Sequence, residues 1–166
     1  MNSLYAWSVL LHILAAFVFF FSHGVSMATA FLLPKEKDAN NMKLLLDIAG
    51  VTIMPLMVSM LLILVTSIHM GWAAKWWNAG WWWVSIVVFF AMIVWMTWYS
   101  RKYYSPIRKA LGMEYMTGAG TNNPAEEPAG MDEVHRLVAK TSPHLLATVG
   151  VLVTAVLIWL MRFKPF

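Results

Sequence analysis

The chain has 166 residues, enough for one domain, with 60% hydrophobic and 12% charged residues and a mean hydropathy of +0.65. Soluble domains carry about 45–50% apolar and about 25% charged residues, so this composition excludes an ordinary soluble protein and specifies an integral membrane one. The net charge of +4 is no nucleic-acid signal, because Lys and Arg cluster in loops beside apolar spans, and the absence of cysteine excludes disulfides, iron–sulfur clusters and thioether-attached haem.

A bilayer core takes about 20 apolar residues per helix, and four segments qualify: 4–33, 44–74, 81–100 and 143–161. The first segment imitates a signal peptide, with Ala28, Thr29 and Ala30 resembling a cleavage site. No Lys or Arg precedes Leu4, however, and the apolar run over 4–21 exceeds a typical signal core, so it is read as a retained span. The connections 34–43 and 75–80 are short, which makes successive helices antiparallel. The expected fold is therefore all-α, an integral membrane four-helix bundle running up-down-up-down. Asp47, near the start of the second span, is read as a cap or dipole partner.

The third span leads into a long loop, 101–142, whose middle (117–130) is rich in Gly, Asn, Pro and Glu and reads as flexible linker. Beyond it, Met131, Val134, Leu137 and Val138 recur at helical spacing, which predicts a short amphipathic helix on the membrane surface with His135 on its solvated side. Ser142 followed by Pro143 reads as an N-cap and first helical position opening the fourth span.

Both chain ends lie at one end of such a bundle, side A; the other end is side B. Lys35, Lys37, Lys43, Arg101, Lys102, Arg108, Lys109, Arg136 and Lys140 fall on side B, against Lys75, Arg162 and Lys164 on side A. The positive-inside rule then places side B in the cytoplasm and both termini outside it, in a bacterial inner membrane. Trp7, Trp72, Trp76, Trp77, Trp81, Trp82, Trp83 and Trp159 map to side A as an aromatic belt, more of them than anchoring requires, which suggests a partner contact.

Four histidines lie in or at the edge of these spans, and ionisable groups there are functional candidates by default. His12 and His23 are eleven residues apart on the first helix, which returns them to within about 20° of one face and separates them by about 16.5 Å. His12 and His69 reach similar depths near side A, while His23 and His144 lie toward side B. Two layers of paired imidazoles suit two bis-histidine haems. The inner pair matches in depth only if the first helix leaves the bilayer soon after His23; otherwise the two differ by roughly 10 Å or more. Thirteen methionines, among them Met27, Met54, Met57, Met60 and Met70, offer further soft donors, although Met commonly fills packing gaps.

The stretch Leu11-His12-Ile13-Leu14-Ala15-Ala16, continuing through Ser22-His23-Gly24-Val25-Ser26, resembles the bacterial membrane proteins related to the CopD copper-resistance group, especially their four-helix relatives. That resemblance implies a likeness to b-type membrane cytochromes and carries His12, His23, His69 and His144 over as haem ligands. The chain departs from the two-haem cytochrome pattern in that only the first helix bears two histidines. The leading expectation is an electron-carrying haem b protein with one or two haems, alone or as a subunit of a redox complex. A quinone, other membrane subunits or a second copy are the expected partners. The alternatives are a copper-handling protein using His and Met, and a structural or pigment-holding subunit. No hydrolase triad, phosphate loop or zinc-protease motif is present, so enzyme activity beyond electron transfer is not expected.

Overall fold

A computed structural model describes residues 3–117 and 121–166. Among the described residues the molecule is all-α apart from one small hairpin. It contains four helical rods long and apolar enough to cross a membrane, spanning Ser3–Lys35, Ala39–Ala73, Gly80–Ala110 and Met131–Phe163. It is a multi-pass membrane protein by that criterion, and large apolar side chains such as Phe21, Val51, Val87 and Val151 point outward along the rods.

The first rod is α1 (Ser3–Leu32), about 45 Å long, closed by a 3-10 turn at Leu33–Lys35 that contains Pro34. Asp38 caps the second rod, its carboxylate accepting from the amides of Asn40 (2.9 Å) and Asn41 (3.0 Å). That rod is interrupted at Thr52 into α2 (Ala39–Val51) and α3 (Ile53–Ala73). Pro55 explains the break, since it has no amide to donate to the carbonyl of residue 51. After a 3-10 turn at Trp76–Asn78, α4 (Gly80–Tyr99) passes through a π turn at Ser100–Tyr104 into α5 (Ser105–Ala110). Pro106 again removes a helical donor, and the wider turn accommodates the loss. The fourth rod is α7 (Pro143–Phe163), opened as expected by Pro143 after Ser142, whose hydroxyl accepts from the Leu145 amide at 3.3 Å.

The rods form two pairs. α1 packs most extensively on α3, and α4 packs on α7; α1 touches α7 more lightly, and α3 and α4 barely meet although a short connection joins them. Contacts run in opposite order along each pair. Ser8 meets His69 and Ser26 meets Thr52 on α1 and α3; Trp81 meets Leu160 and Tyr99 meets Ser142 on α4 and α7.

The α1 seam consists of Ser8, His12, Ala15, Phe19, Ser22, Ser26, Thr29 and Leu33, in alternating steps of four and three. Met42, Leu45, Ala49, Thr52, Leu56, Ser59, Ile63, Thr66 and Met70 answer it in steps of three and four, all buried or half-buried. This is a coiled-coil repeat in which small and hydroxyl residues alternate with larger apolar ones; the small residues let membrane helices approach closely where apolar bulk gives little advantage over lipid.

The most deeply buried core lies at side B, outside the rods' apolar centre. Leu33, Met42, Ile107 and Val134 have no exposed surface and pack with Leu46, Ala110, Leu111, Met113 and Val138. The predicted loop helix is present as α6 (Met131–Val138), but it turns its apolar face into this protein core rather than onto a membrane surface. His135 is exposed, on the side expected. The 117–130 segment is only partly linker-like. β1 (Tyr115–Thr117) pairs antiparallel with β2 (Thr121–Asn123), and the Ala129 amide donates to the Ala110 carbonyl; residues 118–120 lie outside the described residues. Gly112 makes the turn with φ +71°, against Pro128. Asp47 is no cap: that role belongs to Asp38, and Asp47 pairs instead with Arg108 at 3.4 Å.

At side A the tryptophans divide. Trp7, Trp72, Trp83 and Trp159 are exposed, as a belt requires, but Trp81 and Trp82 are buried against Leu160. Gly71 makes room for the Trp82 ring, where a Cβ would stand 2.6 Å away. Lys164 lies over Trp76 and Trp81, 4.6 and 5.3 Å from the ring centres, and the Phe166 carbonyl accepts from the Trp81 amide.

Candidate functional site

The outer histidines both lie on the α1–α3 seam, each against a hydroxyl of the opposite helix. His12 Nδ1 lies 2.8 Å from the Thr66 hydroxyl, and His69 Nδ1 lies 2.7 Å from the Ser8 hydroxyl. The rings thus cross the seam in opposite directions, about one helical turn apart in depth. Placing each hydroxyl proton on a carbonyl of its own helix assigns the tautomers. Thr66 Oγ1 donates to the Leu62 carbonyl at 2.6 Å, and Ser8 Oγ donates to the Leu4 carbonyl at 3.0 Å. Each hydroxyl has one proton and has placed it, so each accepts from the imidazole. On that assignment His12 and His69 carry their protons on Nδ1 and leave their Nε2 lone pairs bare. Pinning one ring nitrogen through an outer hydrogen bond is how proteins orient a metal-ligating imidazole.

The inner pair is not assembled. His23 stacks on Phe19 (ring centres 5.9 Å apart, planes at 8°) and directs Nε2 at Gly150, where an added Cβ would stand 3.1 Å from it. His144 is exposed and meets the edge of Phe31, eight residues further along α1. The two levels differ by about 12 Å, which is the geometry expected if α1 stays in the helical core beyond His23. His23 Nε2 is buried and has no hydrogen-bond partner among the described residues.

Between the two helix pairs lies a cavity of about 120 Å³. Phe19, Phe20, Ile63, Phe89 and Leu157 supply apolar walls, and each rod adds polar or soft groups: His12 from α1, Ser67 from α3, Ser85 and Met92 from α4, Thr154 and Met161 from α7. His69 does not line it, so the outer histidines have unequal access. No Asp, Glu, Lys or Arg side chain contributes to this lining. The cavity's donors are thus neutral: one imidazole, two thioethers and three hydroxyls, of which Ser85 is spent on the Trp81 carbonyl at 2.8 Å. Imidazole and thioether are donors that soft or borderline metals prefer.

Sequence reasoning found the four histidines but missed Ser8 as the partner of His69 and Thr66 as the partner of His12. The signal for both was the three-and-four spacing of small and hydroxyl residues along α1 and α3. Gly150 carried no sequence signal, because its role depends on which helix faces His23. Comparison with protein-family models, curated proteins and solved structures finds no match for this chain.

Proposed function

We propose that this chain is a membrane-embedded electron carrier that holds haem b, with His12 as the protein ligand that defines the site. The observation that carries this reading is the contact of His12 Nδ1 with the Thr66 hydroxyl on the wall of the cavity between the helix pairs; with the Thr66 proton placed on the Leu62 carbonyl, that contact assigns the imidazole proton to Nδ1 and leaves Nε2 for a metal. Haem iron takes imidazole in that form. The donor chemistry and the aromatic wall fit the group. The space fits less well, because about 120 Å³ holds a few water-sized volumes and not a macrocycle. Admitting haem requires the α1–α3 pair to part from the α4–α7 pair, and the contacts between those pairs are the sparsest in the bundle.

Bound haem would supply a one-electron centre within the bilayer. Thr66 keeps the His12 ring from rotating about its own axis. Phe19, Phe20 and Phe89 exclude water. His69, one turn toward side A with the same tautomer, is the second imidazole of the outer level. With His23 and His144 at separate depths, one centre is favoured over two. Side B, with most of the Lys and Arg residues, faces the cytoplasm in this reading, and both termini face outward.

The small cavity favours a second reading, a copper-handling protein in which His12 with Met92 or Met161 holds Cu(I). One preparation separates the two. Protein expressed with ample haem precursor is purified, its haem and copper are quantified per chain, and oxidised and dithionite-reduced spectra are recorded. Near one haem per chain with a b-type spectrum, lost in His12→Ala, is the expected result. Copper without haem would replace the first reading by the second, and neither group would overturn both.

A further inference from the structure

We propose that the crevice between the side-B end of α1 and the start of α2 binds one aminophospholipid, with Lys35 on the lipid phosphate, Glu36 on its ammonium group and an acyl chain along the outer face of α2. The site is separate from the cavity at His12, and neither depends on the other.

The crevice stands at headgroup depth. Trp7 is exposed near the side-A end of the first rod, at the level of an interfacial belt. Lys35 closes the same rod, about 42 Å further along at the helical rise, and a bilayer with its headgroups is about 40–45 Å thick. The second rod begins at Ala39, and between the two rod ends lies a space of about 290 Å³ lined by Leu32, Lys35, Glu36, Asn41, Leu44 and Leu45.

The apolar part of this lining continues into the membrane. Leu32 and Leu44 are exposed, and Ile48 and Val51 extend the Leu44 face along α2 in steps of four and three, also exposed. That stripe is a track for an acyl chain below a headgroup.

The polar part carries one charge of each sign on neighbouring residues. Among the described residues the ion pairs engage Arg108, Lys109 and Arg136, so Lys35 and Glu36 are paired neither with each other nor elsewhere. Glu36 Oε1 accepts from the amides of Asp38 (3.0 Å) and Lys37 (2.8 Å), which hold its carboxyl below the usual range and keep it charged. A carboxylate has about four lone-pair sites, so acceptor capacity remains for a ligand. Asp38 is already spent on the amides of Asn40 and Asn41, and the start of α2 is therefore capped and no anion site of its own.

An aminophospholipid headgroup presents the complementary pair: a phosphate, and two carbons beyond it a primary ammonium with three N–H donors. A headgroup with net negative charge would satisfy Lys35 and be repelled by Glu36. A choline headgroup brings positive charge but no donor for the carboxylate. Charge complementarity at headgroup depth thus selects the primary amine.

The test gives the full chain in detergent equal amounts of phosphatidylethanolamine, phosphatidylcholine and phosphatidylglycerol with identical acyl chains. Native mass spectrometry identifies and counts the lipid retained. The expected result is one retained lipid, with the ethanolamine form favoured over the choline form by about two- to fivefold, the strength of an exposed ion pair. Glu36→Gln keeps a carbonyl oxygen for the two amides but removes the charge, so it should abolish that preference and raise retention of phosphatidylglycerol. Lys35→Ala should weaken retention of all three, whereas Lys37→Ala, outside the crevice, should leave the preference intact. No retained lipid, equal retention of the ethanolamine and choline forms, or a preference that survives Glu36→Gln would overturn the proposal. So would a wild-type preference for phosphatidylglycerol, which would mean a surface read by positive charge alone.

Discussion

The side-B cap and the bundle centre are built on opposite principles. In the cap, Leu33, Met42, Ile107 and Val134 are wholly enclosed, and ion pairs join Arg108 to Asp47, Lys109 to Glu126 and Arg136 to Glu133 around them. That is the construction of a small soluble domain, driven by removal of apolar surface from water. In the bundle centre many apolar side chains turn outward, and the contacts between helices mix Ser, Thr, Ala, Gly and His with larger residues such as Phe19, Leu56 and Ile63. Lipid is as apolar as leucine, so burying leucine between helices gains little there, and close approach with interhelical hydrogen bonds takes over. The comparison teaches where change is tolerated. The cap fixes four chain segments relative to one another, while the centre keeps a cavity and unclaimed donor atoms.

Four substitutions or conditions break or sharpen that contrast. The largest effect is expected in the cap, where Ile107→Ala leaves a hole in a wholly enclosed core and should cost about 2–5 kcal/mol. Reversible unfolding in mild detergent measures it; a loss below about 0.5 kcal/mol would mean the cap does not stabilise the fold. Next comes Gly71→Ala at side A. The new methyl would stand 2.6 Å from the buried Trp82 ring, so α3 and α4 must shift, at about 1–3 kcal/mol. Thr66→Val should cost less, about 0.6–1.7 kcal/mol, the range of interhelical hydrogen bonds in membranes, and Thr66→Ser should restore most of it. A valine variant as stable as the wild type would show that the His12–Thr66 bond does not hold the seam.

The smallest effect concerns pH in the β1–β2 hairpin. A hydrogen bond from the Tyr115 hydroxyl, and after it one from Lys109, hold the Glu126 carboxyl below its usual range. A depressed carboxyl contributes stability above its unfolded pKa and loses it as pH falls through the folded value. Backbone amide shifts around Tyr115 and Asn123 should therefore move only on acidification below the ordinary carboxylate range, with Glu126→Gln abolishing the movement. A hairpin that responds near neutrality would implicate another group.

Much of the architecture was legible in the sequence because membrane solvation imposes long apolar runs. The first, third and fourth spans, the Ser142–Pro143 helix start and the α6 periodicity are recovered within a few residues; the second span begins five residues earlier than expected and is broken at Thr52. The α6 environment was not legible: an amphipathic helix buries its apolar face equally well on lipid or on protein, and only tertiary contact with Ile107 and Leu33 decides between them. Trp81 and Trp82 escaped for a similar reason, since a belt residue and a buried residue look alike until Gly71 is seen opposite. At the candidate site, residue types were readable and pairings were not. Depth counted from helix ends brought His12 and His69 to one level, but it could not show that each ring is already tied to a hydroxyl. It left His23 and His144 dependent on where α1 ends, and α1 continues to Leu32.

The most direct test of this account is the protonation state of the histidine rings in the metal-free protein. In nanodiscs, ¹⁵N-histidine spectra assigned by single His→Gln variants should show His12 and His69 neutral, protonated on Nδ1 and bare on Nε2. Thr66→Val should shift only His12 toward the other tautomer. Protons on Nε2 in the unaltered protein would contradict the assignment and remove the basis for a metal centre at His12.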